Sequence, residues 1–305
     1  MLEEYYSCRE SQRYYESTYD FKGFCEAGYV NLARWAWMNP LYKGSSYQCR
    51  FIFDDACANG CIDTLKMLYS LDPNLFKGNE NSFGIACENG YLEIAKWIYS
   101  FDGPNYNITY AFKWSCQNGH MDVAIWLHSL NLNDIDIISI FAETCRAGEL
   151  KTAQWMYSII EPEFNIDHTI KMICASDNIE SLKWIYSLNR ADFNIDYIFI
   201  HICKQGSIKF AKWLYSSNII NFDINFGFQL ACKKQRINFA KWLYSLGNID
   251  IHVNDERLFR ISCKYGHIGI AQSLYELGNI DIHINDDYVF KNSPKKIIDW
   301  LNTLQ

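Results

Sequence analysis

Apolar and polar positions in residues 83–101 follow two successive helical patterns. Phe83, Ala86 and Cys87 are spaced i, i+3 and i+4, which predicts a short helix with one apolar face. Gly90 comes next, and glycine favours the left-handed conformation that ends a helix. The rest of the segment carries a second, wider apolar face. The pattern therefore predicts a helix, a tight glycine turn and an antiparallel second helix.

This pattern recurs along the chain, and a series of nine cysteines marks its period. Between Cys87 and Cys232 each of these cysteines follows the previous one by 29 residues, and a tryptophan stands ten residues after most of them. A fixed period of this size predicts an all-α solenoid of stacked antiparallel helix pairs. The cysteine ladder consists of Cys25, Cys57, Cys87, Cys116, Cys145, Cys174, Cys203, Cys232 and Cys263.

The spacing of the ladder argues against disulfides and metal sites. Equivalent residues of stacked helices lie about 8–10 Å apart, whereas a disulfide needs Cα atoms within about 7 Å. Zinc ligands are clustered closely in sequence, and only Cys49, Cys57 and Cys61 approach that arrangement, without a histidine nearby. We expect reduced, buried cysteines that act as small apolar residues, with no metal and no cofactor.

Composition narrows the class of protein. The 305 residues are 49% apolar and 21% charged, with a net charge of −7, which argues against a general nucleic-acid binder. No run of eighteen or more apolar residues predicts a membrane-spanning helix. Residues 1–6 lack the apolar core of a secretory signal. The sequence predicts an intracellular, cytoplasmic protein.

The repeated phrase resembles the ankyrin repeat. Residues 86–100 are similar to the second half of that repeat, and Gly119-His120 and Gly266-His267 keep the Gly-His pair of the family. The resemblance covers residues 21–286. Two features depart from it: the Thr-Pro-Leu-His opening is missing, and the period is 29 residues instead of the usual 33. This shorter period predicts short or absent β-hairpin fingers.

The nearest resemblance is to the ankyrin-like proteins of giant DNA viruses, which carry the same cysteine, glycine and tryptophan phrase. It implies a viral protein whose partner is a host protein. The repeat boundaries predict an N-terminal cap or frayed segment at residues 1–20, nine repeats of about 29–32 residues at 21–286, and a C-terminal capping half-repeat at 287–305.

The sequence contains none of the common catalytic signatures. P-loop, GxGxxG, HExxH and GxSxG motifs are all missing from it. We therefore expect a protein that is not an enzyme.

The resemblance also points to candidate binding residues. In ankyrin proteins the two residues before the turn glycine line the concave face, and in the late repeats all of these except Gln205 are basic or aromatic. Such a basic stripe could bind an acidic protein segment or, less readily, nucleic acid. Alternatively, the lysines are solvated and offset the helix dipole. The basic stripe consists of Lys204, Lys233, Lys234, Lys264 and Tyr265.

These observations predict a monomeric, non-catalytic scaffold or adaptor that binds a protein partner along its concave face. A structural component of a virion or viral factory, without a discrete partner, is the alternative. An enzyme would need an insertion rich in polar residues between repeats, and the sequence has none.

Overall fold

A computed structural model describes most of the chain. The N-terminal cap predicted for residues 1–20 lies outside the described residues. The chain divides into two compact units, Met1–Glu161 and Pro162–Gln305. The described residues are 21–38, 46–74, 76, 78–102, 105–130, 135–160, 166–176, 178–188, 194–217, 223–247 and 249–304.

The first unit is built from helix pairs. Residues 21–26 are helical and precede α1, and the helices after α1 form pairs joined by tight turns. The helices are α1 (Val30–Trp37), α2 (Ser46–Ala58), α3 (Ile62–Leu71), α4 (Glu80–Glu88), α5 (Leu92–Asp102), α6 (Ile108–Gln117), α7 (Met121–His128), α8 (Ile137–Ala147) and α9 (Leu150–Ile159).

The second unit repeats this arrangement. Its helices are α10 (Asp167–Ser176), α11 (Ile179–Ser187), α12 (Ile195–Gln205), α13 (Ile208–Ser216), α14 (Ile224–Lys233), α15 (Ile237–Ser245), α16 (Val253–Lys264), α17 (Ile268–Leu277), α18 (Ile284–Asn292) and α19 (Lys295–Leu301). The described part of the chain is helical and contains no strand, which confirms the predicted all-α class. Most connecting segments lie outside it, so the short β-hairpin fingers stay a prediction.

Stacking follows the order of the repeats within each unit. In the first unit, α2 packs on α4, α4 on α6 and α6 on α8. In the second, α10, α12, α14, α16 and α18 contact one another in sequence, and α13, α15 and α17 do the same. First helices therefore pack on first helices and second helices on second helices, as the predicted solenoid of helix pairs requires.

The cysteine ladder lies in the core of each unit. All nine ladder cysteines are buried and free. Burial in apolar surroundings raises the pKa of Cys87 and of Cys116 to about 12, because the thiolate would lose its hydration. Four residues before most of these cysteines stands a fully buried phenylalanine, such as Phe83 or Phe112. The prediction that the ladder cysteines are buried in the core is confirmed.

Tryptophans of one repeat pack against the aromatic core of the preceding one. The Trp126 ring makes edge contacts with Phe83 and with Tyr99, at centroid distances of 6.3 and 5.6 Å. Trp155 makes the equivalent edge contact with Phe112 at 6.3 Å. Edge-to-face geometry at these distances is favourable for aromatic pairs. The tryptophans therefore fill the space between successive helix pairs.

Polar side chains close the helix ends. Among the described residues, five first helices are N-capped by an Asn or Asp side chain, which accepts a hydrogen bond from a free N–H of the first turn. At the ends of several second helices, a serine hydroxyl donates to the carbonyl of the recurring tryptophan three residues earlier, for example Ser100 to Trp97 at 2.6 Å. The capping residues are Asn79, Asn107, Asp136, Asn194 and Asp223.

The turn glycines serve two purposes. Gly90 has a φ of +79°, which L-residues with a Cβ rarely adopt. A Cβ at Gly90 would also meet the ring of His120, the residue that follows the turn glycine of the next repeat. The same relationship joins Gly60 to Tyr91. Each repeat therefore covers the turn of its predecessor, and glycine leaves the space for it.

Two of the described helices begin with an unusual left-handed turn. In α16, Asn254, Asp255 and Glu256 all have φ near +55°, and residues 285–287 repeat this in α18. Glu256 is only 5% exposed, and its Oε1 accepts from the backbone N–H of Asp281 at 3.0 Å. The carboxylate thus joins the first turn of one repeat to the loop that precedes the next.

Candidate interaction surface

The basic stripe lies where the sequence places it, at the C-terminal ends of three consecutive first helices of the second unit. Lys204 is in the last turn of α12, Lys233 ends α14 and Lys264 ends α16. Lys234 and Tyr265 are the C-cap residues of α14 and α16. Neighbouring first helices pack directly on each other, so these residues occupy the ends of adjacent helices along the second unit.

The stripe is accessible and uncompensated. Lys233, Lys234 and Lys264 are exposed and Lys204 is half-buried. Within the described residues, none of the four lysines makes an ion pair. Tyr265 is 65% exposed, and its ring lies 5.9 Å from the Lys264 Nζ. The stripe thus combines positive charge with an accessible aromatic ring.

The positive charge of the stripe affects the pKa of a neighbouring histidine. Burial lowers the pKa of His201 on α12, and the charges of Lys204 and Lys171 lower it further because they disfavour a second cation nearby. The lysines also lie at helix C-termini, where the backbone dipole is negative and stabilises cations. Both interpretations of the stripe, a solvated helix end and a binding surface, are therefore physically sound.

Arg236 belongs to the same surface, although the sequence analysis did not include it. It follows the turn of α14, and its Nε donates to the backbone carbonyl of Lys204 at 2.9 Å. Its side chain covers Gly206 as His120 covers Gly90. The sequence signal for Arg236 is its position directly after the turn, because a side chain at this position lies over the turn of the preceding repeat.

A surface cavity adjoins the start of the stripe. It has a volume of about 590 Å³ and is lined by the turn after α12, by Ala175 and by Lys209 and Lys212. Ala175 occupies the position in its repeat that Lys204 occupies in the next. The cavity therefore continues the row of first-helix ends past Lys204, with two further lysines at its edge.

Charge is unevenly divided between the two units. Residues 1–161 carry 12 Lys and Arg against 20 Asp and Glu, whereas residues 162–305 carry 16 against 15. The net charge of −7 thus comes from the first unit. With the basic stripe included, the positive and negative charges of the second unit nearly balance.

The described part of the chain offers neither a metal-binding cluster nor a membrane-spanning helix. In the described ranges, no group of three or more His, Cys, Asp or Glu side chains could hold a metal ion, and this includes Cys49, Cys57 and Cys61. Cys61 is only partly buried, and its Sγ lies 3.8 Å from the carbonyl oxygen of Glu26. None of the described helices has both the length and the apolar character needed to cross a membrane.

Comparison with known proteins does not assign the chain to a family: no family model matches it, and no curated protein sequence matches it significantly. The resemblance to ankyrin repeats therefore depends on the residues described above.

Proposed function

We propose that this protein is a non-catalytic binding scaffold of the ankyrin-repeat type, and that its basic stripe holds an acidic segment of a partner protein. The observation that carries the proposal is the row of Lys204, Lys233, Lys234 and Lys264, which make no ion pair within the described residues. Arg236 and the exposed ring of Tyr265 extend the same surface.

The geometry suits an extended ligand. Packed helices stand about 8–10 Å apart, so three consecutive first helices offer charges spaced over roughly 20 Å. An extended peptide rises about 3.3 Å per residue, and roughly six residues would reach all three helix ends. The helices hold the lysine stems in place, which lowers the ordering cost on binding.

The resemblance to viral proteins suggests the class of partner. The resemblance to the ankyrin-like proteins of giant DNA viruses suggests that the partner is a host protein met in the cytoplasm. The positive charge of the basic stripe would attract an acidic partner, which raises the association rate, and would repel basic proteins. Each exposed charge pair contributes little alone, about 0.2–1 kcal/mol, so several lysines must act together.

Crosslinking in the native cell followed by mass spectrometry would identify the partner, and purified proteins would then test the surface. We expect the quadruple change of Lys204, Lys233, Lys234 and Lys264 to Glu to weaken binding at least tenfold, because it turns four attractions into repulsions. The affinity of the unchanged protein should fall as salt is raised.

A matched control separates the stripe from net charge. Four exposed lysines outside the stripe can be changed to Glu, which alters total charge equally and should leave affinity nearly unchanged. Equal weakening in both quadruple variants, or unchanged affinity in the stripe variant, would contradict the proposal. The control positions are Lys66, Lys151, Lys295 and Lys296.

A further inference from the structure

The first unit contains a second accessible surface, an open groove across the first helices α2, α4 and α6. Its volume is about 690 Å³. Two aromatic side chains at equivalent positions of their repeats flank it, Phe51 on α2 and Tyr110 on α6, with 47% and 52% of their surfaces exposed. Between them lies α4, which contributes Gly84 and Ile85 to the groove. We name this surface the α4 groove.

Gly84 is the residue that leaves the α4 groove open. It is in the middle of α4, its φ is not positive, and a Cβ added to it would meet nothing within 4 Å. Glycine in a helix interior is destabilising relative to alanine, so the fold itself gains nothing from it. By contrast, Gly227 on α14 is needed, because a Cβ there would meet the Phe199 ring at 2.6 Å.

Other repeats fill the position of Gly84 with a side chain. Three residues before the ladder cysteine they carry larger residues, and Lys113 on α6 even reaches the next repeat, where its Nζ lies 2.9 Å from Glu143. Removing the side chain at this one place opens the surface of α4 between its neighbours. The residues at this position elsewhere are Lys22, Asp54, Lys113, Ala142, Lys171, Ile200, Gln229 and Arg260.

The charge of the α4 groove is negative. Glu80 and Glu88 lie at the two ends of α4, and within the described residues neither makes an ion pair. Glu88 also lies in the last turn of its helix, where the dipole disfavours an anion, and the same position carries Lys204, Lys233 and Lys264 in later repeats. Among the described residues, Arg50 is the one cation that lines the groove.

Asp54 forms part of the floor of the α4 groove, and its carboxylate already accepts hydrogen bonds. It is 7% exposed, and its carboxylate accepts from the Ser82 hydroxyl and, at 2.8 Å, from the Asn81 side-chain amide. These bonds fix the floor across α2 and α4 without a ligand. Glu80 and Glu88 are therefore the carboxylates of the α4 groove that can bind a ligand.

We propose that the α4 groove binds a lysine- or arginine-bearing segment of a partner protein. The cationic side chain lies over Gly84, where Glu80 and Glu88 supply the opposite charge, and the residues on either side of it meet the exposed rings of Phe51 and Tyr110. This inference rests on the proposed role as a binding scaffold, but it does not depend on the basic stripe, whose charge and ligand are opposite.

The test uses the full chain and a fluorescent nine-residue peptide with two arginines and one lysine among Gly and Ser. Matched peptides replace these three residues with Gln or with Glu. Fluorescence anisotropy should show binding of the basic peptide only, with an affinity that falls about tenfold between low and high salt. Equal binding of the Gln peptide would overturn the proposal.

Two independent variants locate the binding. Gly84→Gln fills the groove without changing charge, and Glu80→Gln combined with Glu88→Gln removes charge without filling it. Each should weaken binding at least tenfold while circular dichroism shows an unchanged helical fold. Gly23→Gln is the matched control, because Gly23 is also helical with open space around an added Cβ, and it should bind as the unchanged protein does.

The remaining outcomes separate this groove from the basic stripe. The quadruple Lys→Glu variant of the stripe should keep its affinity for the basic peptide, whatever its effect on an acidic partner. Unchanged affinity in Gly84→Gln would overturn the α4 groove as the site. Self-association that Gly84→Gln abolishes, without peptide binding, would also overturn it and assign the groove to a second copy of the chain.

Discussion

The buried carboxylate of Glu256 accepts a hydrogen bond from the backbone N–H of Asp281, 25 residues further along the chain, at 3.0 Å. The same Oε1 lies 3.1 Å from the His252 Nδ1, and Oε2 is buried without a partner in the described residues. One side chain therefore anchors the left-handed turn of its own helix and the loop of the following repeat.

We expect Glu256→Ala to lower the free energy of unfolding by about 1–3 kcal/mol, because it leaves the Asp281 N–H without its acceptor. Asp287 provides the control. It occupies the same place in the turn of α18 and contacts His283, but its side chain is half exposed. Asp287→Ala should change stability by less than about 0.5 kcal/mol. Urea unfolding followed by circular dichroism measures both, and equal effects would contradict the anchoring role.

Gln235 occupies the turn position that glycine holds in most repeats, and its φ is +58°. A left-handed conformation costs a non-glycine residue about 1–2 kcal/mol, partly offset by the greater freedom of glycine when unfolded. We therefore expect Gln235→Gly to stabilise the protein by about 0.5–1 kcal/mol. Gln205→Gly, inside the last turn of α12, should destabilise it by a similar amount. The thermal midpoints of the two variants should shift in opposite directions.

Gly90 and Gly84 lie in the same repeat, but their replacement by alanine should change the stability of the protein in opposite directions. Gly90→Ala should destabilise by about 1–3 kcal/mol, since it places a Cβ at φ +79° against the His120 ring. Gly84→Ala should stabilise α4 by up to about 1 kcal/mol, because its surroundings are open. Chemical denaturation measures both, and destabilisation by Gly84→Ala would show that the fold requires this glycine.

Alkaline pH should unfold the protein through its ladder. Burial raises the pKa of Cys116 to about 12 in the folded state, whereas an unfolded thiol titrates near 8.5. Above that pH the unfolded chain releases protons that the folded chain retains, so stability is complete at pH 7 and falls as pH rises toward 12. One such cysteine corresponds to a loss of about 2 kcal/mol at pH 10.

The variant Cys116→Ala tests this linkage. It should be less stable at pH 7, because a buried group is lost, but its stability should fall less steeply between pH 8 and pH 10. Denaturant midpoints across this range give the slope. An unchanged slope would mean that Cys116 does not contribute to the alkaline transition.

Local signals explain what could be predicted from the sequence. Gly90 and Cys87 each report their own backbone or packing environment, so the glycine turn and the buried ladder follow from their residue types. The helix-end position of Lys264 follows in the same way, because it depends only on the distance from the turn. The all-α class rests on these repeated local patterns.

The features that could not be predicted from the sequence depend on contacts between residues that are distant along the chain. The residues Asn254 and Asp255 suggest a turn or helix cap, but a left-handed turn of three residues depends on the Glu256 carboxylate and its acceptance of the Asp281 N–H from the next repeat. The α4 groove was missed for a related reason. Phe51 and Tyr110 are 59 positions apart in the sequence, and Gly84 appears there only as another small helical residue.

The covering of each turn glycine by the following repeat has a consequence for how such a chain can grow. A duplicated unit inserted between two others brings both halves of the contact with it, the glycine and the residue that covers the preceding one. Residues 247–255 and 278–286 differ at one position, as tandem duplication of a whole unit would leave them. The array can thus gain or lose units in steps of one repeat, while an insertion or deletion of a few residues within one turn would separate that turn's glycine from its cover.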